Sequence, residues 1–181
     1  DLEARLFEVL CPFDVHLRLG RDDRGNLQIQ YPRPNESTAN PQFLAQLVKP
    51  SQPTEWREPT KPVLQIKTPY RFVADEPVWI TQLPPFLHYR AKPLPGTLIG
   101  GRFPIHDWPR ILMWAFEWHD VSQDLILKRG EPWFYARFET HDPSRHVRLV
   151  EAEMTPGLEQ YLKGMEAVTQ FVNRTFSLFP T

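Results

Sequence analysis

RILMWAFEWHDVSQDLILKRGEPWFYARFE, residues 110–139, decides the fold. Its first ten residues alternate Ile111, Met113, Ala115, Glu117 and His119 on one side with Leu112, Trp114, Phe116 and Trp118 on the other. Side chains in a strand point alternately to opposite faces, and both faces here are largely apolar. Such a strand belongs in the middle of a two-layer structure. Asp124 to Lys128 and Trp133 to Glu139 flank an Arg129-Gly130-Glu131-Pro132 turn and are expected to pair as a hairpin. Pro132 falls at the start of a strand, where its missing N–H is tolerated.

Working outward, Val15, Leu17 and Leu19 alternate with His16 and Arg18, and Leu27, Ile29 and Tyr31 alternate again beyond a polar GRDDRGN tip. That is a β-hairpin. Strand-like pieces recur at Val63 to Lys67, Tyr70 to Val73, Val78 to Gln82, Phe86 to Arg90 and Thr97 to Gly101. Nearly all are punctuated by proline. With 20 prolines against 8 glycines, many φ angles are held and many backbone donors are missing, so long helices cannot dominate. Between Pro32 and Pro62 seven prolines accumulate, and there Asn40-Pro41 caps one or two helical turns over Gln42 to Val48. The rest of that stretch reads as a surface wrap that could cover an opening of the core. After Thr155-Pro156 the period changes: Leu158, Tyr161, Leu162, Met165, Val168 and Val172 form the stripe of an amphipathic helix.

The chain of 181 residues is long enough for one well-cored domain. The expected fold is mainly β, a distorted β-sandwich or jelly-roll-like barrel with one long C-terminal helix packed on it. The expected single domain, 1–181, comprises an N-terminal hairpin (1–31), a proline-rich surface segment (32–62), a β core (63–150) and a helix (156–173).

A net charge of −1, with Lys128-Arg129 as the longest basic run, excludes an electrostatic case for nucleic acid. No stretch approaches the ~18 apolar residues that cross a bilayer as a helix. Cys11 is the only cysteine, so neither an intrachain disulfide nor a cysteine-rich metal site is available. The chain opens at Asp1 without a charged-then-apolar leader; a cytoplasmic setting is expected, with a leader removed before Asp1 left open.

Two candidate sites follow. Glu117 and His119 stand two apart on one strand face, and His106 or His88 could join them as ligands of a divalent transition metal, since iron and similar centres on β folds take two histidines and a carboxylate. The oxygenase order H-x-D, the cupin H-x-H, the G-x-S-x-G elbow, phosphate-binding glycine loops and H-E-x-x-H are all missing. The second candidate is a mouth lined by aromatic rings and by Arg90, Arg102, Trp118 and Arg137, suited to a planar or anionic small ligand.

K-T-P-Y-x-F at Lys67 to Phe72, P-L-P-G at Pro93 to Gly96, Trp108, M-W-x-F at Met113 to Phe116 and R-G-E-P at Arg129 to Pro132 occur in one order. Over about Val63 to Glu139 the chain resembles a loosely defined family of small bacterial and phage proteins that share a domain of unknown function. Lys67 stands where that family tends to arginine, and His106-Asp107 replaces its usual polar pair before the tryptophan. The resemblance implies a compact β-sandwich and carries no activity. Three functions are therefore expected in turn: binding of a small molecule or protein partner, a cupin-like or oxygenase-like metal enzyme, and a structural or assembly role of phage type, with homo-oligomerisation included.

Overall fold

The structure, a computed structural model, describes residues 5–32, 40–109 and 111–165. It is mainly β. Strands β1 (Leu6–Leu10), β2 (Val15–Arg21) and β3 (Leu27–Gln30) precede helix α1 (Pro41–Leu47). Strands β4 (Val48–Pro50), β5 (Val63–Arg71), β6 (Val78–Leu83), β7 (Gly96–Ile99), β8 (Arg102–Pro104), β9 (Ile111–Trp118), β10 (Leu125–Leu127) and β11 (Pro132–Thr140) follow. Residues 156–165 form helix α2. The strands make three antiparallel sheets, in the orders β1-β11-β6-β8, β10-β2-β3 and β4-β5-β9-β7.

Strand β9 takes an inner place in its sheet, between β5 and β7, with one face buried and Ile111, Met113 and Ala115 on the other half-buried. Leu112, Trp114, Phe116 and Trp118 are buried in the core. Trp114 stacks on Phe116 with ring centroids 4.9 Å apart and reaches Trp133 of β11 at 5.9 Å, joining the two four-stranded sheets. Such aromatic pairs supply large apolar area together with oriented ring contacts. Phe138 of β11 adds edge contacts to Phe7 and Phe72.

The expected β2–β3 hairpin forms, with Arg21 opposite Leu27 and Gly25 at φ 80° in its tip. Helix α1 is capped by the Asn40 side chain, which accepts from Gln42 N at 2.9 Å, with Pro41 in the first turn. The two pieces expected at Val63 to Lys67 and Tyr70 to Val73 are one strand, β5, with a register irregularity between Lys67 and Arg71. Pro69 cannot donate there. The Thr68 hydroxyl compensates locally, donating to Leu112 O at 2.7 Å and accepting from Tyr70 N at 3.2 Å.

Two expectations are corrected. The segments either side of Gly130 do not pair with each other: β10 pairs with β2, and β11 with β1 and β6. Cys11 is the reason. Its N–H donates to Glu131 O and its carbonyl accepts from Gly130 N, each at 2.8 Å, so the turn is tied to the β1–β2 connection and the chain crosses between sheets. Gly130 has φ 83°, which only glycine adopts without strain. Phe86 to Arg90 is a loop, because Pro84 and Pro85 remove donors and their carbonyls instead accept from Phe86 N and His88 N. The helix expected over 156–173 is helical over 156–165; residues 166–173, with Val168 and Val172, lie outside the described residues. Thr155 caps it as expected, accepting from Leu158 N at 3.2 Å, and Leu162 is buried while Tyr161 on the same stripe is exposed.

Gly96 of β7 lies opposite Trp118, and a Cβ there would overlap the Glu117 carbonyl oxygen. Gly96→Ala should lower the unfolding free energy by ~1–3 kcal/mol, the usual cost of overpacking. Urea denaturation measures this, and an unchanged midpoint would mean that β7 and β9 are not this closely apposed.

Candidate functional site

The hairpin β2–β3, the proline-rich wrap and the β5–β9 pair enclose a cavity of about 250 Å³. Tyr31 and Trp56 form half-buried walls, Leu27 and Leu64 line its sides, and the fully covered ring of Trp118 underlies the floor. Each aromatic is placed by local chemistry. Tyr31 follows the last residues of β3, in phase with Ile29. Trp56 ends a 3₁₀ turn, Pro53–Glu55, whose start is closed by a reciprocal pair: Glu55 N donates to Gln52 O at 2.8 Å and Gln52 N to the Glu55 carboxylate at 3.1 Å. The Trp56 indole N–H donates to Ser51 O at 3.2 Å, which fixes the ring's tilt. Trp118 turns its N–H away from the cavity, toward Asp120 O and Gln123 O at 2.9 and 3.2 Å.

An ion pair fastens the wrap to β9. Arg57, next to Trp56, donates to both carboxylate oxygens of Glu117 at 3.0 and 2.8 Å. His119 meets the same carboxylate at 2.9 Å, so the two side chains project to one side, as their spacing predicts. The Glu117 side chain is 4% exposed, and the Arg57 fork, followed by the His119 contact, holds its carboxyl down at about 2. Arg57 itself is 78% exposed, so water screens its side of the pair. The buried carboxylate is the costly member to leave alone.

The four residues considered as metal ligands do not come together. The His106 Nδ1 lies 3.1 Å from Val78 N and 3.0 Å from Val78 O, and its Nε2 meets the Asp107 carboxylate at 3.1 Å. His88 lines a separate cleft with Arg90 and Asp124. Among the described residues no group of three or more His, Cys, Asp or Glu is placed to hold a metal ion.

The residues considered for an aromatic and arginine mouth fall in three places. Trp118 underlies the cavity. Arg90 sits beside the turn after β10, donating to the Glu131 carboxylate and to Pro132 O, each at 3.0 Å. Arg102 and Arg137 flank Thr81 in one row across β8, β6 and β11, and both pair with Glu139. The Arg102 guanidinium lies 4.7 Å from the centroid of the Trp79 ring. Arg102 and Arg137 therefore tie three strands together on the outer sheet face.

Sequence reasoning missed Arg57, since nothing in its local pattern links it to a residue 60 positions away. It also missed Asp124, which accepts from Arg18 at 2.9 and 2.8 Å and meets His16 at 2.7 Å. Arg18 first, with His16 adding, holds the Asp124 carboxyl at about 2. The alternation of β2 places His16 and Arg18 on one face, and the β10–β2 pairing, with Leu125 opposite Leu17, brings Asp124 alongside both.

No family model, curated protein or solved structure matches this chain. Among the described residues no helix is long and apolar enough to cross a membrane.

The depressed Glu117 value sets a pH dependence. A carboxyl bound more weakly to its proton in the folded state contributes stability above its unfolded value and loses that contribution as pH falls through the folded one. The difference in urea midpoint between the natural chain and Arg57→Met should thus be full above about pH 4.5 and fade toward about pH 2. At neutral pH the same variant should be cut faster by protease within the wrap. A pH-independent difference would remove the ion pair as the fastening.

Proposed function

We propose that the protein is a binding protein built on a distorted β-sandwich of jelly-roll type, whose cavity takes a compact apolar or aromatic molecule. The jelly-roll reading rests on strand order. Counting only β1, β5, β6, β7, β8, β9 and β11, one sheet runs first-seventh-third-fifth and the other second-sixth-fourth. That nested order is a double Greek key short of one strand. It is compatible with the family resemblance over residues 63–139, which belongs to the same reading. So does a reducing, cytoplasmic setting: Cys11 is buried, and burial pushes its thiol up to about 11, away from reactivity.

The carrying observation is the 250 Å³ space between Tyr31, Trp56 and Trp118, with its outer wall fastened by Arg57 and Glu117. An apolar cavity of about 150 Å³ holds benzene, so this one suits a one- or two-ring molecule. Flat aromatic walls with few rotatable bonds favour such a ligand at low entropic cost. The metal-enzyme alternative rests on Glu117 and His119, and the Glu117 carboxylate is already engaged by Arg57.

Saturation-transfer NMR with benzene, indole and p-cresol tests this. At least one should bind, and Trp56→Ala should weaken it about tenfold, as removal of one ring wall implies. Tyr89→Ala, outside the cavity, should leave binding unchanged. Failure of all three probes, or binding indifferent to Trp56→Ala, would overturn the reading.

A further inference from the structure

Strand β6 has two unlike surfaces at its two ends. Beyond Leu83 the loop Pro84-Pro85-Phe86-Leu87-His88-Tyr89-Arg90-Ala91-Lys92-Pro93 projects from the sheet, with Phe86, Leu87 and Tyr89 respectively 63%, 73% and 87% exposed. Phe86 touches Tyr135 edge-on at 5.2 Å, which anchors the base of the loop. The charges around it are cationic. Lys92 and, in the neighbouring turn, Lys128 and Arg129 are exposed and enter no ion pair among the described residues. Of the nearby acids, Asp124 and Glu131 are paired with Arg18 and Arg90, and Asp14 accepts from the Arg129 backbone N–H at 2.9 Å.

Before Val78, at the other end, lies a groove of about 640 Å³. Phe72 and Val73 of the β5–β6 connection form one side, and Val150, Met154 and Leu158 of the C-terminal segment form the other. Val73, Val150 and Met154 are exposed apolar groups. Asp75 and Glu151 line it and Glu153 adjoins it; Arg71 is the cation among the lining residues. Contiguous apolar surface of this kind marks an interface.

Six residues of β6 separate the two ends, about 20 Å at the usual rise of a strand. Phe86 against Tyr135 and Arg90 on Glu131 hold the loop at the end of β6 away from its own groove. We infer that the cationic loop of one copy docks in the acidic-rimmed groove of the next, a head-to-tail contact between copies of this chain. The aromatic tips fill the groove, while Lys92, Lys128 and Arg129 face Asp75, Glu151 and Glu153. Such a contact is heterologous, so it builds rings or open filaments. It does not depend on the cavity reading.

Sedimentation velocity on the full chain tests it. Association should rise with concentration and weaken about tenfold from low to high salt, as screened charge pairs require. Tyr89→Glu, which spoils the loop, and Val150→Arg, which spoils the groove, should each be monomeric alone; both sites are exposed, and circular dichroism should show an unchanged fold. Mixed in equal amounts, they should form a dimer and stop there, since one intact loop and one intact groove remain. A natural chain monomeric at every concentration, association surviving in either variant, or a mixture that stays monomeric would overturn the inference. Flotation of a monomeric natural chain with phosphatidylcholine–phosphatidylglycerol vesicles, lost in Tyr89→Glu, would overturn it too, by assigning the loop to a lipid surface.

Discussion

Strand β9 must bury the whole of one face, and much of the molecule is arranged to meet that constraint. Leu112, Trp114, Phe116 and Trp118 require a packed layer, which β11 supplies through Trp133. The opposite face carries Ile111, Met113, Ala115 and the buried carboxylate of Glu117. A charge in that position must have a partner fixed by geometry. Arg57 provides it from the wrap, and in doing so fastens an irregular segment over the core edge.

The same contact gives the irregular segment a purpose. A proline-rich stretch has few backbone donors and little freedom to lose on folding, so a few side-chain contacts suffice to order it. Here the 3₁₀ turn, the Trp56–Ser51 hydrogen bond and the Arg57 fork act over seven residues. The hairpin closes the space from the other side. A small apolar chamber results at the seam between the β10-β2-β3 sheet and the β5–β9 pair, where neither surface could fill it alone.

Charge is distributed with similar economy. A net charge of −1 conceals a cationic tip beyond β6 and acids around the groove before it. Elsewhere arginines are spent on holding strands in place: Arg18 on Asp124, Arg90 on Glu131, and Arg102 with Arg137 on Glu139. Arginine suits this work because its planar fork makes two directed bonds and remains charged.

The β class, the hairpin tip, the cap of α1 and the central place of β9 were all legible in the sequence, because each follows from side-chain period or from the chemistry of Asn, Pro and Gly within a few residues. Glu117 with His119 was legible for the same reason, being neighbours on one strand face. Strand pairing was not. Gly130 announces a turn, but whether its flanks pair depends on Cys11, over a hundred residues earlier in the chain. The short strands β1, β4 and β8 gain their hydrogen bonds from partners distant in sequence, so their own residues carry a weak signal. Arg57 could be matched to Glu117 only once the wrap had been laid across β9. Local stereochemistry wrote the elements; the choice among partners, and with it the cavity, belonged to tertiary packing, because burial and charge pairing act between residues that only the folded chain brings together.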